Sequence, residues 1–319
     1  MKNNISPVSG FLNMYKPPGP TSMDVLRQVK QHTGHRKRVG HGGTLDPQAE
    51  GVLPICFGQA TRLMELLVDS GKEYRMEVRL GATTTTYDGE GDVVNTAPTS
   101  DLTLELVEDA LEAFRGTIQQ VPPMYSALKV EGKRLYKLAR SGIEVERQPR
   151  AVEIHKLEIL EFASPSLVLL AESGRGAYMR SLAHDLGQAL GCGAYLSGLV
   201  RTRSGAFRSE DAITMEDIIG EAQDEWQRHM YSVDYPLLDM KGLTIGRDAE
   251  RLLRAGQSVA LPPSMSAYVR YMERHRAYSQ DGRFVGVLSF DLPKNRWLPH
   301  KLFSLDSPSP YAPNIQGVA

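Results

Sequence analysis

Hydrophobic positions recur along the chain with two different periods, and the switches between them mark its elements. Val25, Leu26 and Val29 follow Pro20-Thr21-Ser22-Met23-Asp24 at helical spacing. Thr21 or Ser22 is placed to cap that helix and Gly34 to end it. A second helix is predicted over residues 60–68, with Leu63, Met64 and Leu67 turned inward. From Lys72 to Leu80 the period becomes two. Tyr74, Met76, Val78 and Leu80 share one face and Glu73, Arg75, Glu77 and Arg79 the other, the pattern of a half-buried strand. A polar turn at residues 88–92 leads to a helix over 104–114, capped by Thr103 and stopped by Gly116. Strand-like runs at 152–160 and 166–172 precede a helix carrying Met179, Leu182, Leu186 and Leu190, ended by Gly191.

Past about residue 240 the pattern changes. A short helix at 247–255, Pro262-Pro263 and a strand at 284–290 suggest a small β-rich appendage. Strands and helices mix without βαβ regularity, which points to an α+β fold rather than a doubly wound sheet. The expected organisation is a main domain over 1–240, a small C-terminal domain over 241–306, and a flexible Pro/Ser-rich tail over 307–319.

Composition adds few constraints. A chain of 319 residues with 41% hydrophobic and 24% charged positions can bury a sizeable core. Lys and Arg (37) nearly balance Asp and Glu (38), so a uniformly basic surface that coats nucleic acid is not expected. Local basic stripes are nonetheless present: Lys30 with His35-Arg36-Lys37-Arg38, and a stretch from Lys129 through Lys133, Arg134 and Lys137 to Arg140. Cys56 and Cys192 cannot build a disulfide framework or a Cys-rich zinc site, and they read as small buried side chains in a reducing compartment. The N-terminus lacks an apolar leader core, and no run of about 18 apolar residues occurs, so the expected location is cytoplasmic.

The densest chemical signal is Gly40-His41-Gly42-Gly43-Thr44-Leu45-Asp46-Pro47-Gln48-Ala49-Glu50-Gly51-Val52-Leu53-Pro54. Glycines let backbone approach a bulky substrate closely, and Pro47 restricts the conformation of Asp46. Taken alone, the run also reads as an ordinary tight turn with Asp46 as its cap. A phosphate loop is excluded because the Gly-x4-Gly-Lys-Ser/Thr spacing is missing. A metal site from His35, His41 and Asp46 matches no common ligand spacing. Periodicity alone makes Tyr74 and Leu199 core residues, and Arg180 a residue at a helix start.

Read together, several segments resemble the TruB family of tRNA pseudouridine synthases. They are Gly40–Pro54 with Gly58-Gln59-Ala60-Thr61, Tyr15-Lys16-Pro17 with Thr21-Ser22, Lys72-Glu73-Tyr74, and Pro123-Met124-Tyr125-Ser126-Ala127-Leu128-Lys129. Gly176-Ala177-Tyr178-Met179-Arg180-Ser181-Leu182 with Asp185-Leu186-Gly187 follows, then Gly191-Cys192-Gly193-Ala194 with Leu199 and Arg201. The resemblance runs in order over about residues 11–215 and implies a pseudouridine-synthase-like, largely antiparallel mixed sheet with flanking helices. It implies Asp46 as the nucleophile, Arg180 as its ion-pair partner, and Tyr74 as the residue that stacks on the flipped base and helps remove a proton. Tyr178 and Leu199 would line the same pocket, and His41 would fill the place of the extruded base. Lys16, Arg36 and Lys129 are expected to contact RNA. The implied substrate is the T-loop uridine, position 55, in the T-arm of elongator tRNAs, with no metal, cofactor, membrane or obligate protein partner and a monomeric enzyme.

Three other readings compete. A non-catalytic tRNA-binding or folding chaperone would need the basic and aromatic surface but not Asp46 and Arg180. A guide-RNA-dependent relative would carry a Lys-rich tail, whereas the tail here is rich in Pro and Ser. A metal-dependent hydrolase would have to use His41 and Asp46.

Overall fold

The computed structural model describes residues 8–126, 128–130, 132–221 and 225–313. Its first half runs through β1 (Gly10–Lys16), α1 (Ser22–Thr33), β2 (Val39–His41), β3 (Glu50–Phe57), α2 (Met64–Asp69), β4 (Lys72–Leu80), β5 (Ala82–Thr84), β6 (Val93–Thr96), α3 (Leu104–Glu112) and β7 (Gly116–Gln120). Then come a short hairpin, β8 (Lys129–Val130) and β9 (Lys133–Arg134), α4 (Leu135–Arg140), β10 (Arg150–Ala163), β11 (Ser166–Ser173), α5 (Met179–Ala189), β12 (Ala194–Ser204) and β13 (Phe207–Arg208). The rest comprises α6 (Met215–Ile219), β14 (Met230–Tyr231), β15 (Gly242–Thr244), α7 (Arg247–Arg254), α8 (Pro263–Ser266), β16 (Arg274–Tyr278), β17 (Phe284–Asp291) and β18 (Arg296–Leu302).

One ten-stranded sheet carries the fold in the order β14-β1-β3-β12-β4-β11-β10-β7, with β13 and β2 pairing on β12 and β3. Every pairing in it is antiparallel except β3 with β12. The expected α+β class, with a largely antiparallel sheet, therefore holds. The alternation at 72–80 becomes β4, which sits between β11 and β12 with its even-numbered side chains buried. Thr21 caps α1 through a capping box with Asp24, and Gly34 closes the helix at φ 72°. The predicted second helix starts as a 3-10 turn over Gly58–Leu63 before becoming α2.

Two central strands were not legible as strands. β3 is a continuous apolar run, buried along nearly its whole length, and such a run has no period. Pro54 fits within it because its carbonyl accepts the Gly42 N–H at 2.8 Å. Its missing N–H thus faces the stretch of β3 between the β12 pairing at Gly51 and the β2 pairing at Ile55. β12 shows two register shifts, between Leu196 and Gly198 and between Arg201 and Arg203, which break its alternation.

The C-terminal segment forms a second sheet, β15-β16-β17-β18. Tyr278, Phe284, Val287 and Phe303 from it share a hydrophobic cluster with Phe11, Val52, Cys56 and Leu67 of the main sheet region. Buried Asp234 accepts hydrogen bonds from Tyr278 Oη at 2.7 Å and from Ser309 Oγ at 2.6 Å. Ser309 belongs to the segment expected to be a flexible tail. As far as Pro313 that segment is instead tied down, because a buried carboxylate needs donors and Ser309 supplies one. Residues 314–319 lie outside the described residues.

Helix α5 lies against the start of β12 so closely that a Cβ on Gly187 would come within 2.0 Å of the Ala194 nitrogen. That approach sets the depth of the last turn of α5 relative to the start of β12. Gly187→Ala is expected to cost about 1–3 kcal/mol of stability, as overpacking does. A thermal melt compared with an Ala substitution at exposed Gln188 checks this; equal melting temperatures would show that the helix can shift freely.

Candidate active site

The segment between β2 and β3 carries Asp46, and its backbone is clamped at almost every residue. Ser22 Oγ accepts the Leu45 N–H at 2.8 Å and donates to the Leu45 carbonyl at 3.0 Å. The Gly19 N–H reaches the Pro47 carbonyl at 2.8 Å, and the Ala49 N–H closes the turn onto the Asp46 carbonyl at 3.2 Å. Two buried cations lie beneath. Lys16 Nζ donates to the carbonyls of Pro17, Pro47 and Ala49 at 2.9, 2.8 and 2.6 Å. The Arg201 guanidinium, 1% exposed, donates to the carbonyls of Val52, Thr44 and Gly43 at 2.8, 3.3 and 3.2 Å. Gly51 at φ 104° lets β3 approach so near that a Cβ would meet the Arg201 carbonyl oxygen at 2.3 Å.

Arg180, in the first turn of α5, is 5% exposed, and its Nη2 lies 2.9 Å from Asp46 Oδ2. The same nitrogen donates to the Tyr125 carbonyl at 2.7 Å, while Nη1 lies 3.4 Å from both the Thr86 carbonyl and Asp88 Oδ2. One guanidinium therefore bridges two carboxylates. The Asp46 side chain is 45% exposed, so its outer edge stays open to a ligand. Desolvation of its inner side raises its pKa, Arg180 pulls it back down, and the nearby charge of Asp88 raises it again.

Tyr74 is buried on β4 directly opposite Arg201 on β12, close enough for the phenol and the guanidinium to interact electrostatically. Leu45 and Ala49, which flank Asp46, share a core cluster with Tyr74 and Met179, and Leu199 packs against it. Half-buried Tyr178 is the N-cap residue of α5; Gln120 holds its backbone at both ends, accepting from its N–H at 2.7 Å and donating to its carbonyl at 3.0 Å. Burial raises the Tyr178 pKa, and the charges of Asp46 and Arg180 act on it in opposite directions. His41 ends β2, and burial lowers its pKa, with Arg201 and Lys30 adding to the effect. Arg36 is exposed on the turn after α1, outside this cluster and with no ion pair to a described residue. Lys129 begins β8, but its side chain lies outside the described residues.

Lys16 departs from expectation. It is 0% exposed and its three donors are spent on backbone carbonyls, so it has nothing to offer RNA. Burial pushes its pKa down to about 8 against the pull of Asp46 and Glu50. The sequence shows a Lys beside two prolines but not which way it points. Asp88 and Arg201 were also missed as contributors to the site. Asp88 looked like one more polar residue in a turn, and Arg201 was named only within a segment that resembles the family, with no role attached to it. Among the described residues no group of three or more His, Cys, Asp or Glu side chains is arranged to hold a metal ion. Lys16→Met removes the donor to three carbonyls, of which Pro47 keeps the Gly19 N–H, and should cost at least about 1–3 kcal/mol, the penalty of one orphaned acceptor. Chemical denaturation measures this; unchanged stability would mean that the clamp is dispensable.

The family model described as TruB family pseudouridylate synthase (N terminal domain) matches residues 30–179, and the tRNA pseudouridylate synthase B C-terminal domain matches residues 180–239. A protein named tRNA pseudouridine synthase B from Symbiobacterium thermophilum is 49% identical over 253 residues, covering 78% of this chain and 82% of that one. Its namesake from Dehalococcoides mccartyi is 42% identical over 297 residues, covering 93% and 97%. Among solved structures, one described as a Cbf5-Nop10-Gar1 complex superimposes with a TM-score of 0.71 at 25% identity, over 96% of this chain and 87% of that one. The two matched models meet between Met179 and Arg180. With relatives this similar over nearly the whole length, the chain belongs to the TruB family of pseudouridylate synthases.

Proposed function

We propose that the protein isomerises the T-loop uridine at position 55 of elongator tRNAs to pseudouridine, with Asp46 as the nucleophile. The observation that carries this reading is the Asp46–Arg180 pair: a carboxylate fixed at one oxygen by a buried guanidinium and open at its other edge. The reaction breaks the N1–C1′ bond of uridine, turns the base and joins C5 to C1′. A proton leaves C5 and N1 gains one, so nothing is added or lost. Asp46 takes up the electron-poor sugar carbon while the base turns, and Arg180 holds the carboxylate ionised and aimed. Tyr74, at the wall beside it, stacks on the base and takes part in removing the C5 proton. Tyr178 and Leu199 close the pocket, and His41 fills the gap left by the extruded base.

RNA would be held by exposed cations near the site, including Arg36, Lys37 and Arg38. The second sheet is proposed as a further RNA contact. There Tyr268 is 99% exposed and Tyr271 largely so, beside Arg270 and Lys241, and exposed rings beside cations suit unpaired bases. The Cbf5 structure is of a complex with Nop10 and Gar1; this chain is proposed to act alone as a monomer. A role limited to tRNA binding or folding would not need Arg180 to be shared between two carboxylates, and catalysis is favoured on that ground.

Purified protein incubated with an unmodified elongator tRNA transcript should place pseudouridine at position 55 alone. No product, from folded protein that binds the transcript, would leave only the binding role. Asp46→Asn should abolish turnover while tRNA affinity stays within about tenfold, since one carboxylate adds little to phosphate contact. The single-turnover rate should fall on acidification at a pH above that of an ordinary Asp, because the raised pKa makes Asp46 protonate earlier. Asp88→Asn removes a like charge and should move that acid limb to lower pH; a limb that does not move would detach Asp88 from Asp46.

A further inference from the structure

The turn joining β5 to β6 meets helix α5 at two successive residues. Asp88 Oδ2 lies 3.4 Å from Arg180 Nη1. The ring of Tyr87 lies flat on the ring of His184, with centroids 3.8 Å apart and planes 13° apart. Arg180 and His184 are one helical turn apart on the same face of α5. The turn is thus pinned to the helix by a charge contact and a stacking contact side by side.

Three features indicate that the stack has a purpose beyond filling space. Tyr87 has φ 65°, in the left-handed region that disfavours a residue with a bulky side chain, so its surroundings must hold it there. The backbone does part of this: the Leu196 N–H donates to the Tyr87 carbonyl at 3.0 Å, and the Tyr87 N–H reaches the Thr84 carbonyl at 3.3 Å. His184 keeps Nδ1 buried with no hydrogen-bond partner, which is costly for a polar atom unless the ring is wanted for its face. Finally, Asp88 reaches outward from the residue next to Tyr87, with Oδ1 accepting from the Thr86 hydroxyl and from the Glu90 N–H at 3.1 Å. Asp88 thus follows Tyr87 directly along the same turn, whose backbone is also held by the Thr84 hydroxyl donating to the Asp88 carbonyl at 2.6 Å.

We propose that Tyr87 and His184 are a positioning pair for the reaction: their stack sets how Asp88 meets Arg180, and so how the guanidinium presents Nη2 to Asp46. This rests on the reading of Asp46 and Arg180 as the catalytic pair. Without the stack the turn can rise, Asp88 leaves Nη1, and Arg180 swings from the geometry that aims Asp46. Misplacement of about an ångström is enough to slow a positioned reaction substantially.

The test is single-turnover pseudouridine formation on an unmodified tRNA transcript, with tRNA affinity and melting temperature measured in parallel. His184→Ala and Tyr87→Ala should each lower the rate about tenfold with affinity within about threefold of wild type. His184→Phe, which restores an aromatic face without the imidazole nitrogens, should recover most of the loss. In an Asp88→Asn background His184→Ala should cause no further fall, because the two act through one contact. Unchanged rates in the alanine variants, an equal fall in the Asp88→Asn background, or failure of His184→Phe to recover activity in folded protein would each overturn the proposal. A wild-type protein that forms no pseudouridine would instead overturn the underlying catalytic reading, and with it the role of this pair.

Discussion

A guanidinium taken out of water must find negative charge and hydrogen-bond acceptors, and the way Arg180 does so organises the site. It is satisfied by two carboxylates and two backbone carbonyls drawn from three segments outside its own helix: the Asp46 turn, the β5–β6 turn at Thr86 and Asp88, and the Tyr125 segment. Removing one partner of such a buried pair leaves an uncompensated charge, which is a heavy penalty. The same demand that stabilises Arg180 therefore gathers the segments that bear the chemistry. Sharing the guanidinium between two acids also leaves the cluster of Arg180, Asp46 and Asp88 with an excess negative charge. Burial first, and then the charge of Asp88, raise the Asp46 pKa, while Arg180 works against both to keep the carboxylate ionised.

A second pair of cations works from below. Lys16 and Arg201 spend their donors on carbonyls of residues 43–52 rather than on carboxylates. With the carbonyls turned down onto buried positive charge, the Asp46 side chain is held on the upper side of a turn that has little freedom left. Preorganisation of this kind lets a short side chain be accurate: Asp has few rotatable bonds, so its aim is the aim of its backbone. Tyr74, paired across the sheet with Arg201, is fixed to the same base.

Much of this could be read from the sequence, and what could not has physical causes. The alternation of β4, the capped helix α1 and the periodicity of α5 were legible because each buries one face against one core. β3 and β12 were not, because a strand buried on both sides or broken by bulges carries no period. The Asp46 segment and Arg180 stood out only through their resemblance to TruB family motifs, since taken alone the first reads as a tight turn and the second as a residue at a helix start. Asp88 had no such signal, since an Asp in a turn has a sufficient local reason to be there. Lys16 shows the opposite error: its motif was noticed, but a lysine beside a functional loop reads as a ligand-binding residue until its burial is known.

These misreadings share a form. Local sequence reports what a residue does for its own element, whereas the site is made of residues whose partners lie far along the chain. Asp88 and Arg180 are separated by 92 positions yet lie in contact, and only the path of the sheet between them brings that about. A charged residue near a functional motif can be a catalytic group, a clamp for the backbone or a phosphate contact. Burial separates these alternatives better than residue type does. Arg36, exposed and unpaired among the described residues, is available to a phosphate. Lys16, sealed under three carbonyls, is not, and Arg180, sealed except toward the open edge of Asp46, can serve only chemistry that comes to that edge.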